Sequence, residues 1–145
     1  MKRLLLLIAV LITGGAIDHA AACTCGEATA AEYLKTASVV FMGTVTAKRK
    51  SSAAEKDGVE VAFKVERVWK GNVLKTALVY TGATADLYPF ENLCAPQFRV
   101  GQRYIVFALG QDKLQTDICT GTVAARYGRN VAKQLGRSQL PMRLR

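Results

Sequence analysis

Hydrophobic and polar positions alternate along much of the chain in blocks of strand length. Ser38-Val39-Val40-Phe41-Met42-Gly43-Thr44-Val45-Thr46-Ala47 is β-branched and apolar and predicts a strand, with Gly43 as a bend or bulge. Lys48 to Gly58 is a charged connection. Val59, Val61, Phe63, Val65 and Val68-Trp69 then alternate with Glu60, Lys64 and Glu66 in near period two. That pattern predicts a second, half-buried strand ended by Lys70-Gly71-Asn72. Ala77-Leu78-Val79-Tyr80-Thr81 predicts a third strand, and Arg103-Tyr104-Ile105-Val106-Phe107-Ala108-Leu109 a fourth. Gly110-Gln111-Asp112 turns the chain into a short fifth, Leu114 to Ile118, ending at Cys119. The stretch from Gly82 to Gly101, with Pro89, Cys94 and Pro96, reads as irregular.

Two segments leave period two. Ala28 to Lys35 is short and helix-favouring. Val123, Tyr127, Val131 and Leu135 recur at spacing four beside Arg126, Arg129, Lys133 and Arg137, which predicts an amphipathic helix lying on the β structure. Pro141 follows it, and the tail beyond is predicted to be loose. Five strands with glycine-bearing turns and short flanking helices predict one mainly β domain, a small closed or nearly closed barrel.

At the N-terminus, Lys2 and Arg3 precede the apolar run Leu4-Leu5-Leu6-Leu7-Ile8-Ala9-Val10-Leu11-Ile12, far short of the ~20 residues that span a bilayer. Gly14-Gly15 breaks the run and Ala20-Ala21-Ala22 precedes Cys23. This is the pattern of a secretory signal peptide over residues 1–22, cleaved after Ala22, leaving a single domain over 23–145. The reading predicts a secreted or periplasmic protein with no transmembrane helix in its mature form. Because the cut precedes a cysteine, a membrane-anchored lipoprotein acylated on Cys23 is the alternative; its signal normally has a large aliphatic residue where this chain has Ala20.

Composition narrows the chemistry. With 145 residues, 50% hydrophobic and 21% charged, the chain can bury a core. Loss of residues 1–22 removes Lys2, Arg3, Asp18 and His19, so the net charge changes from +9 to +8 and no histidine remains. That excludes Ser-His-Asp and Cys-His nucleophile pairs and histidine-ligated metal sites. G-x-S-x-G, a glycine-rich phosphate loop and H-E-x-x-H are missing too. Neither an enzyme nor a bound cofactor is expected. The positive charge leaves anionic envelope or matrix polymers open as partners. Tyr33, Phe41, Phe63, Trp69, Tyr80, Tyr104 and Phe107 are predicted to pack in the core rather than stack on nucleic acid, which export makes a poor ligand.

Cys23, Cys25, Cys94 and Cys119 all follow the signal. An even number in an exported chain of this size predicts two disulfides. A four-thiolate zinc site is the alternative, although zinc ribbons usually present two C-x2-C knuckles. A Cys23–Cys25 bond would close a small, strained ring. The two remaining pairings both staple the mature N-terminus to two distant parts of the chain. Each closes loops of roughly 70–100 residues, worth on the order of 4 kcal/mol. A terminus that would ordinarily fray is then held against the body.

These features together resemble the N-terminal domain of the tissue inhibitors of metalloproteinases. The likeness rests on Cys23-Thr24-Cys25, the Val40-Phe41-Met42-Gly43-Thr44 strand, Val65-Glu66-Arg67-Val68-Trp69-Lys70-Gly71, Val79-Tyr80-Thr81 before an isolated Cys94, and Tyr104-Ile105-Val106-Phe107-Ala108 before Cys119. It covers most of residues 23–122. It implies a five-stranded, netrin-like OB-fold barrel with disulfides Cys23–Cys94 and Cys25–Cys119. It also implies a secreted inhibitor of zinc metalloendopeptidases, in which the free amine and carbonyl oxygen of Cys23 chelate the protease's catalytic zinc. Thr24 would enter the specificity pocket, and Cys25, Gly26, Asn92, Leu93, Cys94 and Ala95 would contact the protease. The chain departs from the family in lacking that domain's third disulfide and in having Gly26-Glu27 where a hydrophobic residue and proline stand.

The chelation is sound as chemistry. An amine nitrogen and the carbonyl oxygen of one residue form a five-membered ring on a zinc with an open position. Only the neutral amine binds, so zinc must displace a proton from a group of pKa ~7.7–8.0. Flanking disulfides remove the ordering cost of a floppy terminus.

Overall fold

A computed structural model of the chain describes residues 25–51, 58–82 and 95–143. The signal segment, Cys23, Thr24, Asn92, Leu93 and Cys94 lie outside the described residues. The longest ladder is antiparallel and joins β1 (Val39–Lys50) to β2 (Val59–Lys70). Its register shifts at Val40/Phe41, Met42/Gly43 and Val45/Ala47 bend β1, as the glycine in its middle foretold. At Gly43 an added Cβ would lie 2.8 Å from the Lys64 carbonyl oxygen, so the close crossing of the two strands requires glycine.

β3 (Thr76–Thr81) pairs antiparallel with the outer edge of β2, and β4 (Arg103–Ala108) with the free edge of β1. Two dipeptide strands complete the sheet: β5 (Leu114–Gln115), parallel to β3, and β6 (Val123–Ala124), antiparallel to β4. The order β5-β3-β2-β1-β4-β6 makes a curled, six-stranded half-barrel. At one end β5 also reaches the opposite side. Gln115 and Leu109, the residue after β4, exchange two backbone hydrogen bonds of 2.8 Å, and the Thr116 amide donates to Tyr80 O at 2.9 Å.

The curl encloses Phe41, Val45, Val59, Val61, Phe63, Val79, Phe98 and Val106, all buried. Phe41, Phe63, Phe98 and Tyr104 meet edge to face in sequence, with ring centroids 5.5, 5.3 and 4.8 Å apart. A second cluster lies on the other face of β1 and β4, where Val40, Ile105 and Phe107 are covered by two helices. This explains why Val39-Val40-Phe41 and Tyr104–Ala108 read as unbroken apolar runs: those strands are buried on both faces.

The covering helices are α1 (Ala30–Thr36) and α2 (Arg129–Leu135), which also touch each other. Both are pinned by the end of β2. Lys70 Nζ donates to the last carbonyls of α1, Leu34 O at 2.7 Å and Lys35 O at 3.0 Å, the favoured place for a cation on a helix. Trp69 Nε1 donates to Gly136 O at 3.1 Å, just past α2.

Several sequence expectations are corrected. There are six strands among the described residues rather than five. The fifth is two residues long instead of running from Leu114 to Ile118. β1 continues past Ala47 to Lys50. The C-terminal helix does not include Val123 and Tyr127: Val123 pairs with Ile105 in β6, and Tyr127 is 71% exposed. Met142, in the described part of the tail beyond Pro141, is not loose either, and the segment before it is held too. Gln139 exchanges two backbone hydrogen bonds with Val68, and the Met142 amide donates to Val73 O at 2.8 Å.

Candidate functional site

The strongest local constraint on the described N-terminus is covalent. Cys25 and Cys119 form a disulfide with Cα atoms 5.2 Å apart, across 94 positions of sequence. This is one of the two bonds that the resemblance implied. It also removes the four-thiolate zinc alternative, because two of the four sulfurs are bonded to each other. The partner bond, Cys23–Cys94, lies outside the described residues.

Each end of the bond sits on a braced segment. After Cys25 the chain is exposed through Gly26, Glu27 and Ala28 to Thr29, which caps α1. Thr29 Oγ1 accepts from the Glu32 amide at 3.3 Å, and the Glu32 carboxylate accepts from the Thr29 amide at 2.7 Å, a capping box. The Thr29 amide foremost, and then the Thr29 hydroxyl, which also donates to the carboxylate at 2.9 Å, hold the Glu32 carboxyl below its ordinary 4.5. Only five positions therefore separate the disulfide from an ordered helix.

On the other side, Cys119 lies in a 3-10 turn, Ile118–Thr120, whose cap Asp117 accepts from the Cys119 amide at 2.7 Å. Three hydroxyls bind this turn to β4. Thr116 Oγ1 donates to Phe107 O at 2.9 Å and lies 2.8 Å from Thr120 Oγ1 and 2.7 Å from Thr122 Oγ1. The Phe107 amide donates to Thr122 Oγ1 at 3.0 Å. Gly121 ends the turn at φ 90°, where an added Cβ would meet the Tyr33 ring at 2.5 Å. Thus α1 and the disulfide turn interlock through Tyr33.

Of the residues implied to contact a protease, Cys25 and Gly26 are exposed beside this turn. Ala95 is 2% exposed and leaves almost no side-chain surface for a partner; with Pro96 and Phe98 it anchors its segment in the core. Lys48 Nζ holds that segment from β1, donating to Phe98 O at 3.0 Å. Sequence reasoning missed Thr116, Thr120 and Thr122. Their signal was present, three threonines closely flanking Cys119, but the same residues are ordinary in strands.

The aromatic expectation is met for four of the seven rings; Tyr33 and Trp69 are half-buried against the second cluster, and Tyr80 is half-buried with Lys113 over its ring. Phe41, Phe63 and Phe107 are fully buried and Tyr104 is 5% exposed. Among the described residues no three His, Cys, Asp or Glu side chains gather as a metal site, and no helix is long and apolar enough to cross a membrane. No protein-family model matches the sequence, and no curated protein matches it.

Proposed function

We propose that the protein is a secreted inhibitor of zinc metalloendopeptidases built on a netrin-like OB-fold barrel. With Leu109 counted with β4, the hydrogen bonds run β1-β2-β3-β5-β4-β1, a circuit that supports a five-stranded, partly open barrel. The sixth strand then lies outside the circuit, on β4. The observation that carries the reading is the Cys25–Cys119 bond, which ties the residue two positions after the mature terminus to a turn held rigidly on the barrel. A disulfide also belongs to an oxidising compartment, in keeping with export.

On this reading signal cleavage frees the Cys23 amine, and a second disulfide to Cys94 fixes it. The amine and the Cys23 carbonyl oxygen occupy the open position on the protease's zinc and displace the water that would attack substrate. Thr24 fills the neighbouring specificity pocket. Gly26 and Glu27 continue the exposed edge across the cleft. The test is a titration of correctly processed protein, beginning at Cys23, against a panel of zinc endopeptidases. The proposal expects inhibition of at least one, relieved by a small zinc-binding ligand of that enzyme's active site. Inhibition that such a ligand fails to relieve, or none across the panel, would contradict it.

A further inference from the structure

Two adjoining hollows open where the 95–102 segment, the start of β4 and the chain around β6 meet. One, of about 320 Å³, is lined by Arg99 and Arg126 with Gln97 and Thr122. The other, of about 410 Å³, is lined by Arg103, Arg126 and Arg129. Arg126, Gln102 and Ala124 line both, so the two form one groove with Arg126 at its middle. All four arginines are exposed. Among the described residues, the ion pair made here is Arg103 with Glu66, at a loose 3.7 Å. Arg99, Arg126 and Arg129 face no carboxylate in that set.

Four cations around one groove repel one another, and the backbone holds them there. Tyr104 Oη accepts from the Arg99 amide at 3.0 Å and donates to Gln97 O at 2.9 Å. The Ala125 amide donates to Arg103 O at 2.9 Å, fixing the approach to Arg126. The Arg126 guanidinium lies 4.7 Å from the centre of the Tyr127 ring, which positions it.

We propose that this groove binds anionic polysaccharide, with the sulfate or carboxylate groups of successive sugars paired to Arg99, Arg126 and the Arg103–Arg129 end. Guanidinium groups suit both oxyanions, which they can bind through two parallel hydrogen bonds. Two arginine-lined hollows flanking a shared arginine fit a chain of charges better than one small anion. A nucleic acid strand would need exposed ring faces on which its bases stack. The ring lining the groove is Tyr104, 5% exposed with its hydroxyl engaged. The exposed Tyr127 lies outside the lining, with Arg126 over one of its faces, which leaves a single open ring face beside the groove where a strand needs several. The inference is independent of protease inhibition.

The test measures binding of a heparin dodecasaccharide to the mature, disulfide-bonded protein over a series of salt concentrations. Arg126→Ala should weaken binding about two- to fivefold, the range of an exposed ion pair. Arg99→Ala with Arg103→Ala should weaken it about tenfold and flatten the salt dependence, since fewer counterions are released. Lys133→Ala with Arg137→Ala, on and just past α2 but outside the groove, should leave affinity within about twofold, on the same scale. Unchanged thermal midpoints would show that each variant folds. Equal weakening by the two double variants would overturn the site in favour of diffuse charge. So would equal affinity for a sulfated disaccharide, or tighter binding of a single-stranded oligonucleotide of matched charge.

Discussion

Thr29 and Glu32 set the entry to α1, because each satisfies the other's backbone amide. Thr29→Ala should therefore cost about 1 kcal/mol in denaturant unfolding. The Glu32 carboxyl lies below its ordinary 4.5 through the Thr29 hydrogen bonds, so its stabilising effect is present above 4.5. It is lost as pH falls through the lowered value. Acid melts of Glu32→Gln should accordingly show a shallower decline than those of the native chain. On β3, beside β5, the Tyr80 hydroxyl donates to the buried Glu60, which is also paired with Arg49. That hydrogen bond first, and burial second, raise Tyr80 above 10.0; the stability it lends is full below 10.0 and lost as pH rises through the raised value. In Glu60→Gln, the Tyr80 share of the tyrosinate absorbance, isolated against Tyr80→Phe, should move back toward 10.0. An unmoved titration would refute the assignment. Gly121 matters for its backbone: Gly121→Ala forces a side chain into left-handed backbone and into the Tyr33 ring, so it should destabilise by more than about 1 kcal/mol.

Among elements, the disulfide turn and α1 form one unit through Cys25, Tyr33 and Gly121. Replacing Cys25 and Cys119 by Ser releases a loop of 94 positions and should lower unfolding free energy by about 4 kcal/mol in the chain-entropy picture. Limited proteolysis should then cut first between residue 25 and α1, with the strands still protected; equal resistance in both forms would show that the bond does not hold this end. The strands were legible in the sequence because period two, Gly43 and the Lys70-Gly71 stop are local signals. The start of α2 was not. Val123 and Val131 both pack against the second core, so spacing four recorded a shared core and not one helix. β5 was overextended because Thr116, β-branched like a strand residue, leaves the ladder after one backbone bond and spends its hydroxyl on Phe107 O. At the site, the even cysteine count foretold bridging, whereas the pairing of Cys25 with Cys119 came from likeness to a family. The threonine brace arises only when residues distant in sequence fold together.

For the whole molecule, the described body is a curled sheet with helices on one outer face and an arginine groove at one edge. The barrel would stand without any function at its N-terminus. The inhibitor reading needs more: a free amine at Cys23 and a second disulfide. Intact mass of the exported protein should correspond to residues 23–145 less four hydrogens; added diacylglycerol would show an anchored lipoprotein and remove the zinc ligand. The most direct measurement of the central claim compares that protein with a form carrying one extra alanine before Cys23, against the same zinc endopeptidase. The account predicts that the extended form folds with an unchanged melting midpoint yet loses inhibition by at least about a hundredfold, since the chelating amine becomes an amide. Equal inhibition by both forms would contradict it.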